Sequence, residues 1–215
     1  MINLKNLTYH DRAEYWNTLT HALGATLALI AGAFLLSRAY LAQVSPKAML
    51  ALVIYITGLC GFLLASACYH GLIHSRYRKL LQFFDHSGIY LMIIASYTPY
   101  TWLVLPSHLG WPIWWSIVGL ALLGLTYDRF FVGRWPLVSV IIYVVMGWFI
   151  LIALPDLHQL LSPEAFYLLL AGGITYTLGA VFYLSPKLPY AHVYWHIMVV
   201  LAAALMYSSI LVTLF

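Results

Sequence analysis

Five residues capable of chemistry stand inside stretches that are otherwise apolar: Ser66 and His70 in one, Asp85 at the head of the next, and His192 and His196 in the last. Ionisable groups at bilayer depth are costly, about 2.5–3.5 kcal/mol each on insertion scales for the charged types, so they mark a functional site by default. Three imidazoles and a carboxylate are what a catalytic zinc site needs. His192 and His196 are four residues apart, so on a helix both rings project from one face and can share a metal ion. Ser66 and His70 have the same spacing. Two ligands from one helix and one from another leave a fourth tetrahedral position for water, whose pKa zinc lowers toward about 7. In that chemistry Asp85 accepts the water's proton or orients a ligand, and Ser66 holds the water or donates to a developing oxyanion.

Helices must bring these groups to one depth, and the charge pattern says that they do. At about 1.5 Å of rise per residue, His70 and Asp85 each lie about 9 Å inside the nearest basic residues, Arg76 and Lys79. His192 and His196 lie about 8 and 14 Å beyond Lys187, and Ser66 about 15 Å deep. Such hydrogen-bonding groups can also serve only to join helices. The histidine pair alone would be weak, but the pair, a third histidine and an acid at matched depth point to a site.

The elements follow from composition. The chain has 215 residues, 64% of them hydrophobic and 7% charged, with mean hydropathy +0.90. Soluble domains carry about 25% charged residues, so this is a membrane protein. Apolar windows long enough to cross the hydrocarbon fall at roughly 18–42, 48–73, 83–105, 111–127, 136–155, 163–184 and 190–213. The expected fold is an all-α, seven-helix transmembrane bundle forming a single domain over 1–215. The runs are continuous rather than alternating, which excludes a transmembrane β-barrel. No internal repeat is evident. The first run is longer than the apolar core of a signal peptide and reads as a retained helix. Cys60 and Cys68 are about 12 Å apart along one helix, too far for a disulfide, and Cys68 reads as a small buried residue.

Basic residues set the orientation. Lys5, Arg12, Arg76, Arg78, Lys79, Arg129, Arg134 and Lys187 fall on one side, against Arg38 and Lys47 on the other. The positive-inside rule then puts the N-terminus in the cytoplasm and the C-terminus outside. The net charge of +4 is largely this asymmetry and implies no nucleic-acid partner. Trp111, Trp114 and Trp115 fit an aromatic belt at the outer interface.

Other polar residues have plainer readings. His74, beside Ser75 and Arg76, is the rival ligand but reads as interfacial; His86 reads as packing or a supporting hydrogen bond. Glu14, Asn17 and His21 share one helical face at the start of the first span, where they either line the entrance to the site or cap and anchor the helix. His10, His108 and His158 read as solvated. Pro99, Pro136, Pro155, Pro163 and Pro189 sit near span ends. The pairs Gly58/Gly61 and Gly172/Gly173 would allow close helix approach.

The sequence resembles the progestin and adipoQ receptor family, most closely its bacterial hemolysin III branch. The resemblance lies in Glu14-x-x-Asn17-x-x-x-His21-x-x-Gly24, Ser66-x-x-x-His70, Phe84-Asp85-His86 running on to Ser96-Tyr97-Thr98-Pro99, and Pro189-x-x-His192-x-x-x-His196. It implies a seven-helix bundle of the bacterial inner membrane with a cytoplasmic N-terminus. It further implies a Zn2+ ion on His70, His192 and His196, with Asp85 and Ser66 as catalytic neighbours. The activity implied is hydrolysis of lipid amides or esters, with a membrane lipid as substrate or ligand. The depth of the residues agrees, since about 8–15 Å below the charge line is where headgroup linkages give way to acyl chains. The hemolysin label points instead to a non-enzymatic role: membrane lysis, membrane homeostasis, or lipid sensing with structural zinc. A pore would need a polar stripe through the full length of several helices, and the outer halves of the spans are nearly free of polar groups.

Overall fold

The computed structural model describes residues 8–131 and 136–215. Lys5 and Arg134, both counted toward the orientation, lie outside the described residues. The described chain is helical almost throughout: α1 (Tyr9–Leu41), α2 (Pro46–Gly71), α3 (Arg78–Pro99), α4 (Ser107–Phe131), α5 (Pro136–Trp148), α6 (Leu154–Leu160), α7 (Pro163–Tyr183) and α8 (Ala191–Leu214). Local signals explain several starts. Thr8 and Asp11 form a capping box on α1, while Ser45 and Ser162 cap α2 and α7, each followed by a proline in the first turn.

Six helices among the described residues are long and apolar enough to cross a membrane: α1, α2, α4, the run Leu137–Leu160, α7 and α8. Seven apolar windows were expected. The exception is α3, because Arg78, Lys79, Gln82, Asp85, His86 and Ser87 crowd its first half. The fifth window is also not one regular helix. After α5 the backbone tightens to a 3₁₀ segment, Phe149–Ala153, before α6 begins at Leu154 with Pro155 in its first turn. Pro99 ends the regular part of α3, and the chain widens into a π-helical turn over Tyr100–Val104.

Exposed leucine, isoleucine and phenylalanine cover the outside, among them Leu27, Ile30, Leu123, Phe130 and Ile152. In water such coverage would be an aggregation hazard; on a bundle in lipid it is the solvent-facing surface. The protein is a multi-pass membrane protein. The most extensive packing is α7 on α8, α2 on α3 and α1 on α2, with α1 also against α8. One glycine of each predicted pair is needed for this. A Cβ on Gly58 would fall 2.4 Å from that of Ala95 on α3, and one on Gly172 would fall 2.9 Å from the Met206 sulfur, whereas Gly61 has open space. Both cysteines are free; Cys60 is buried, but Cys68 is exposed rather than buried as expected.

Consecutive helices alternate in direction, so the start of α1, the end of α2 and the starts of α3 and α8 meet at one end. Arg78 ties three of them. Its guanidinium donates to the Tyr69 carbonyl, lies 3.7 Å over the Tyr69 ring, and approaches Glu14 at 3.9 Å. Tyr190, just before α8, takes a left-handed conformation (φ 57°), and its N–H donates to the Tyr9 hydroxyl at 2.7 Å. The ends of α1 and α8 are thereby latched next to the histidines.

Candidate metal centre

His70 on the last turn of α2 and His192 and His196 on the first turns of α8 converge, with one ligating nitrogen from each ring lying within 4.8 Å of the others. Ring centroids are 4.7–5.1 Å apart. His70 and His196 are buried and His192 is half-buried, so His192 forms the accessible side.

The hydrogen bonds decide which nitrogen each ring presents. His70 Nδ1 lies 2.7 Å from Glu14 Oε2. His196 Nδ1 lies 3.1 Å from the carbonyl oxygen of Asn17. A carbonyl only accepts, as does an ionised carboxylate, so both Nδ1 atoms carry the proton. Nε2 is then the nitrogen that each ring has free to bind, and that of His70 is buried without any partner. An unpartnered buried polar atom costs about 1–3 kcal/mol. Imidazoles that converge from two helices, each held at Nδ1 by an oxygen, are the arrangement that metal-ligating histidines adopt. The donor set fits a divalent metal such as zinc. His70, His192 and His196 can therefore hold a metal ion.

The other expected residues are placed unequally. Ser66 is buried one turn deeper than His70, and its hydroxyl makes no hydrogen bond to the three rings among the described residues. Asp85 is half-buried on α3 and hydrogen-bonds none of the three histidines. His74 lies beyond the end of α2 and is exposed, so it does not continue the His70 face. His10, His108 and His158 are exposed as expected, although His158 lies on α6 against Phe166.

Three residues matter more than their sequence suggested. Glu14 is the carboxylate that touches a histidine of the cluster. Asn17 acts through its backbone carbonyl, while its side-chain oxygen is buried and unpartnered. His21 is 1% exposed, stacks on His196 at 3.7 Å between centroids, and has no partner at either nitrogen. Their spacing revealed the shared face but not what it meets. Asp128 was missed. It is buried on α4, which runs to Phe131, past the predicted end at 127.

The sequence profile described as Haemolysin-III related matches residues 9–207. The chain belongs to that family. Curated relatives extend the match. The chain is 36% identical to Hemolysin-3 of Bacillus cereus over 208 residues, 97% of this chain and 94% of the relative. It is 34% identical to the Hemolysin-3 homolog of Bacillus subtilis (strain 168), over 93% of each chain. The human Monocyte to macrophage differentiation factor is 31% identical over 73% of this chain and 67% of its own length. Membership in the haemolysin-III-related family agrees with the resemblance carried by the Glu14, Ser66, Asp85 and Pro189 motifs. Every residue described at the metal centre lies within the matched region.

Proposed function

We propose that this haemolysin-III-related protein is a zinc-dependent hydrolase of amide or ester bonds in membrane lipids. In this reading it is a seven-helix bundle of the bacterial inner membrane, with α3 as the seventh span, the N-terminus in the cytoplasm and the C-terminus outside. The excess of basic residues on one side supports the orientation. One observation carries the chemistry: the convergence of His70, His192 and His196, with the rings of His70 and His196 each fixed by an oxygen at Nδ1.

Bound at His70, His192 and His196, zinc supplies Lewis acidity and a water that ionises near neutral pH. Glu14 and the Asn17 carbonyl keep the two rings in their ligating tautomer. Asp85 accepts the proton of the attacking water, and the Ser66 hydroxyl donates to the oxyanion that forms on the scissile carbonyl. Half-buried His192 leaves the approach for a lipid whose acyl chain stays in the hydrocarbon.

The test incubates zinc-loaded wild type, Asp85→Asn and Ser66→Ala with a lipid library and follows fatty-acid release. Asp85→Asn should keep its metal and lose about 10²–10⁴-fold in turnover, the scale of a general base. Ser66→Ala should lose about 10²–10³-fold. A second reading is favoured by the lack of a hydrogen bond from Asp85 to the cluster and by the hemolysin names of the bacterial relatives. Here zinc is structural, and the protein lyses, senses or maintains membranes without turnover. No fatty-acid release from any ceramide, other amide or ester by zinc-loaded wild type would decide for it.

A further inference from the structure

A second polar cluster lies on α3, α4 and α5, separate from the histidines. Asp128 is 3% exposed. Its Oδ1 accepts from the Ser139 hydroxyl at 2.6 Å, and its Oδ2 accepts from the Tyr143 hydroxyl at 3.2 Å. Tyr90 on α3 is fully buried, its ring 4.7 Å from that of Tyr143, and its hydroxyl has no hydrogen-bond partner. That hydroxyl lies over Gly124, one turn before Asp128: a Cβ there would sit 2.7 Å from it. Its polar neighbours are Asp128, Ser139 and Tyr143. Only a glycine at 124 leaves room for the hydroxyl to reach them.

Asp128, Ser139, Tyr143 and Tyr90 thus bring oxygens, and no nitrogen or sulfur, to this cluster. No Lys, Arg or His among the described residues makes an ion pair with Asp128. Ser139 and Tyr143 from α5 bond it and Tyr90 from α3 lies beside them; on α4 itself the neighbouring Arg129 is exposed. A lone carboxylate inside a membrane protein is neutralised by a partner. Oxygen-only ligands select hard cations, and a single carboxylate balances one positive charge rather than two. Two hydroxyls already direct their protons at the carboxylate, which turns their lone pairs outward. The unpartnered Tyr90 oxygen supplies another.

We propose that Asp128, Ser139, Tyr143 and Tyr90 form a site for one small monovalent metal cation, a sodium ion, independent of the histidine centre. The apparent melting temperature of the purified full-length protein tests it, at fixed pH and constant ionic strength, as sodium replaces choline in the buffer. Wild type should melt about 5 °C higher when the site is filled. Asp128→Asn should abolish the response to sodium, and Tyr90→Phe should move its midpoint about threefold or more. A wild type unresponsive to sodium overturns the site, as does an Asp128→Asn response equal to wild type. Should Asp128→Asn not fold, an unmoved midpoint in Tyr90→Phe overturns it equally.

Discussion

The two ends of the bundle treat polar side chains differently. At the end reached by the last residues of α3, several hydroxyls close onto backbone and onto one another, although the Trp102 indole N–H and the Tyr55 hydroxyl stay buried without a partner. Tyr97 donates to the Met146 carbonyl at 2.6 Å and accepts from the Ile150 N–H at 2.8 Å, where the chain leaves α5. Tyr100 donates to Ser209 at 2.8 Å, and Ser209 to the Ala165 carbonyl at 2.6 Å, joining the π-helical turn after α3 to α8 and α7. At the histidine end, the side-chain oxygen of Asn17, both nitrogens of His21 and Nε2 of His70 are buried with nothing to bind. Each buried atom left free costs about 1–3 kcal/mol, and at the histidine end four of them gather around one cluster.

The contrast can be broken first at a ligand. His196→Ala should reduce zinc from one per chain to a small fraction, since two imidazoles hold the ion poorly. Metal analysis of the purified variant checks this, and full occupancy would dismiss the assignment of His70, His192 and His196. A smaller effect is expected behind the ligands. Glu14→Ala should weaken zinc about 10–100-fold in a competition titration with a chelator, and Glu14→Gln should restore part of the loss because its amide oxygen still accepts from His70 Nδ1. Equal affinity in all three proteins would show Glu14 to be a helix anchor only. The smallest change belongs to the closed end. Tyr97→Phe should cost about 1–3 kcal/mol of stability by stranding the Ile150 N–H, with zinc content unchanged. A loss of zinc in that variant would mean that the two ends are not separable.

Much of this was legible in the sequence, where the physics is local. Hydropathy reports whether a helix can face lipid, and it found every apolar span. It says less about α3, whose polar half packs against α2 instead of meeting lipid. It also passes over the 3₁₀ break at Phe149–Ala153, because tightening the backbone leaves composition unchanged. The histidines were legible because i, i+4 spacing and depth are properties of a single helix. Glu14 was not, since its partner is 56 residues away on another helix. Asn17 is a harder case: the group it offers His196 is a main-chain carbonyl, which any residue carries. Asp128 escaped notice because the fourth apolar window stops one residue short of it.

The latch between Tyr9 and Tyr190 has a practical consequence for handling the protein. A left-handed tyrosine costs about 1–2 kcal/mol relative to an ordinary backbone conformation, and the Tyr9 hydroxyl is what engages its N–H. His192 follows two residues later. A bulky affinity tag or shortened leader that displaces Tyr9 would therefore reach the histidines through two peptide bonds. Purification handles belong after Phe215, where α8 ends beside Arg38, far from that hinge.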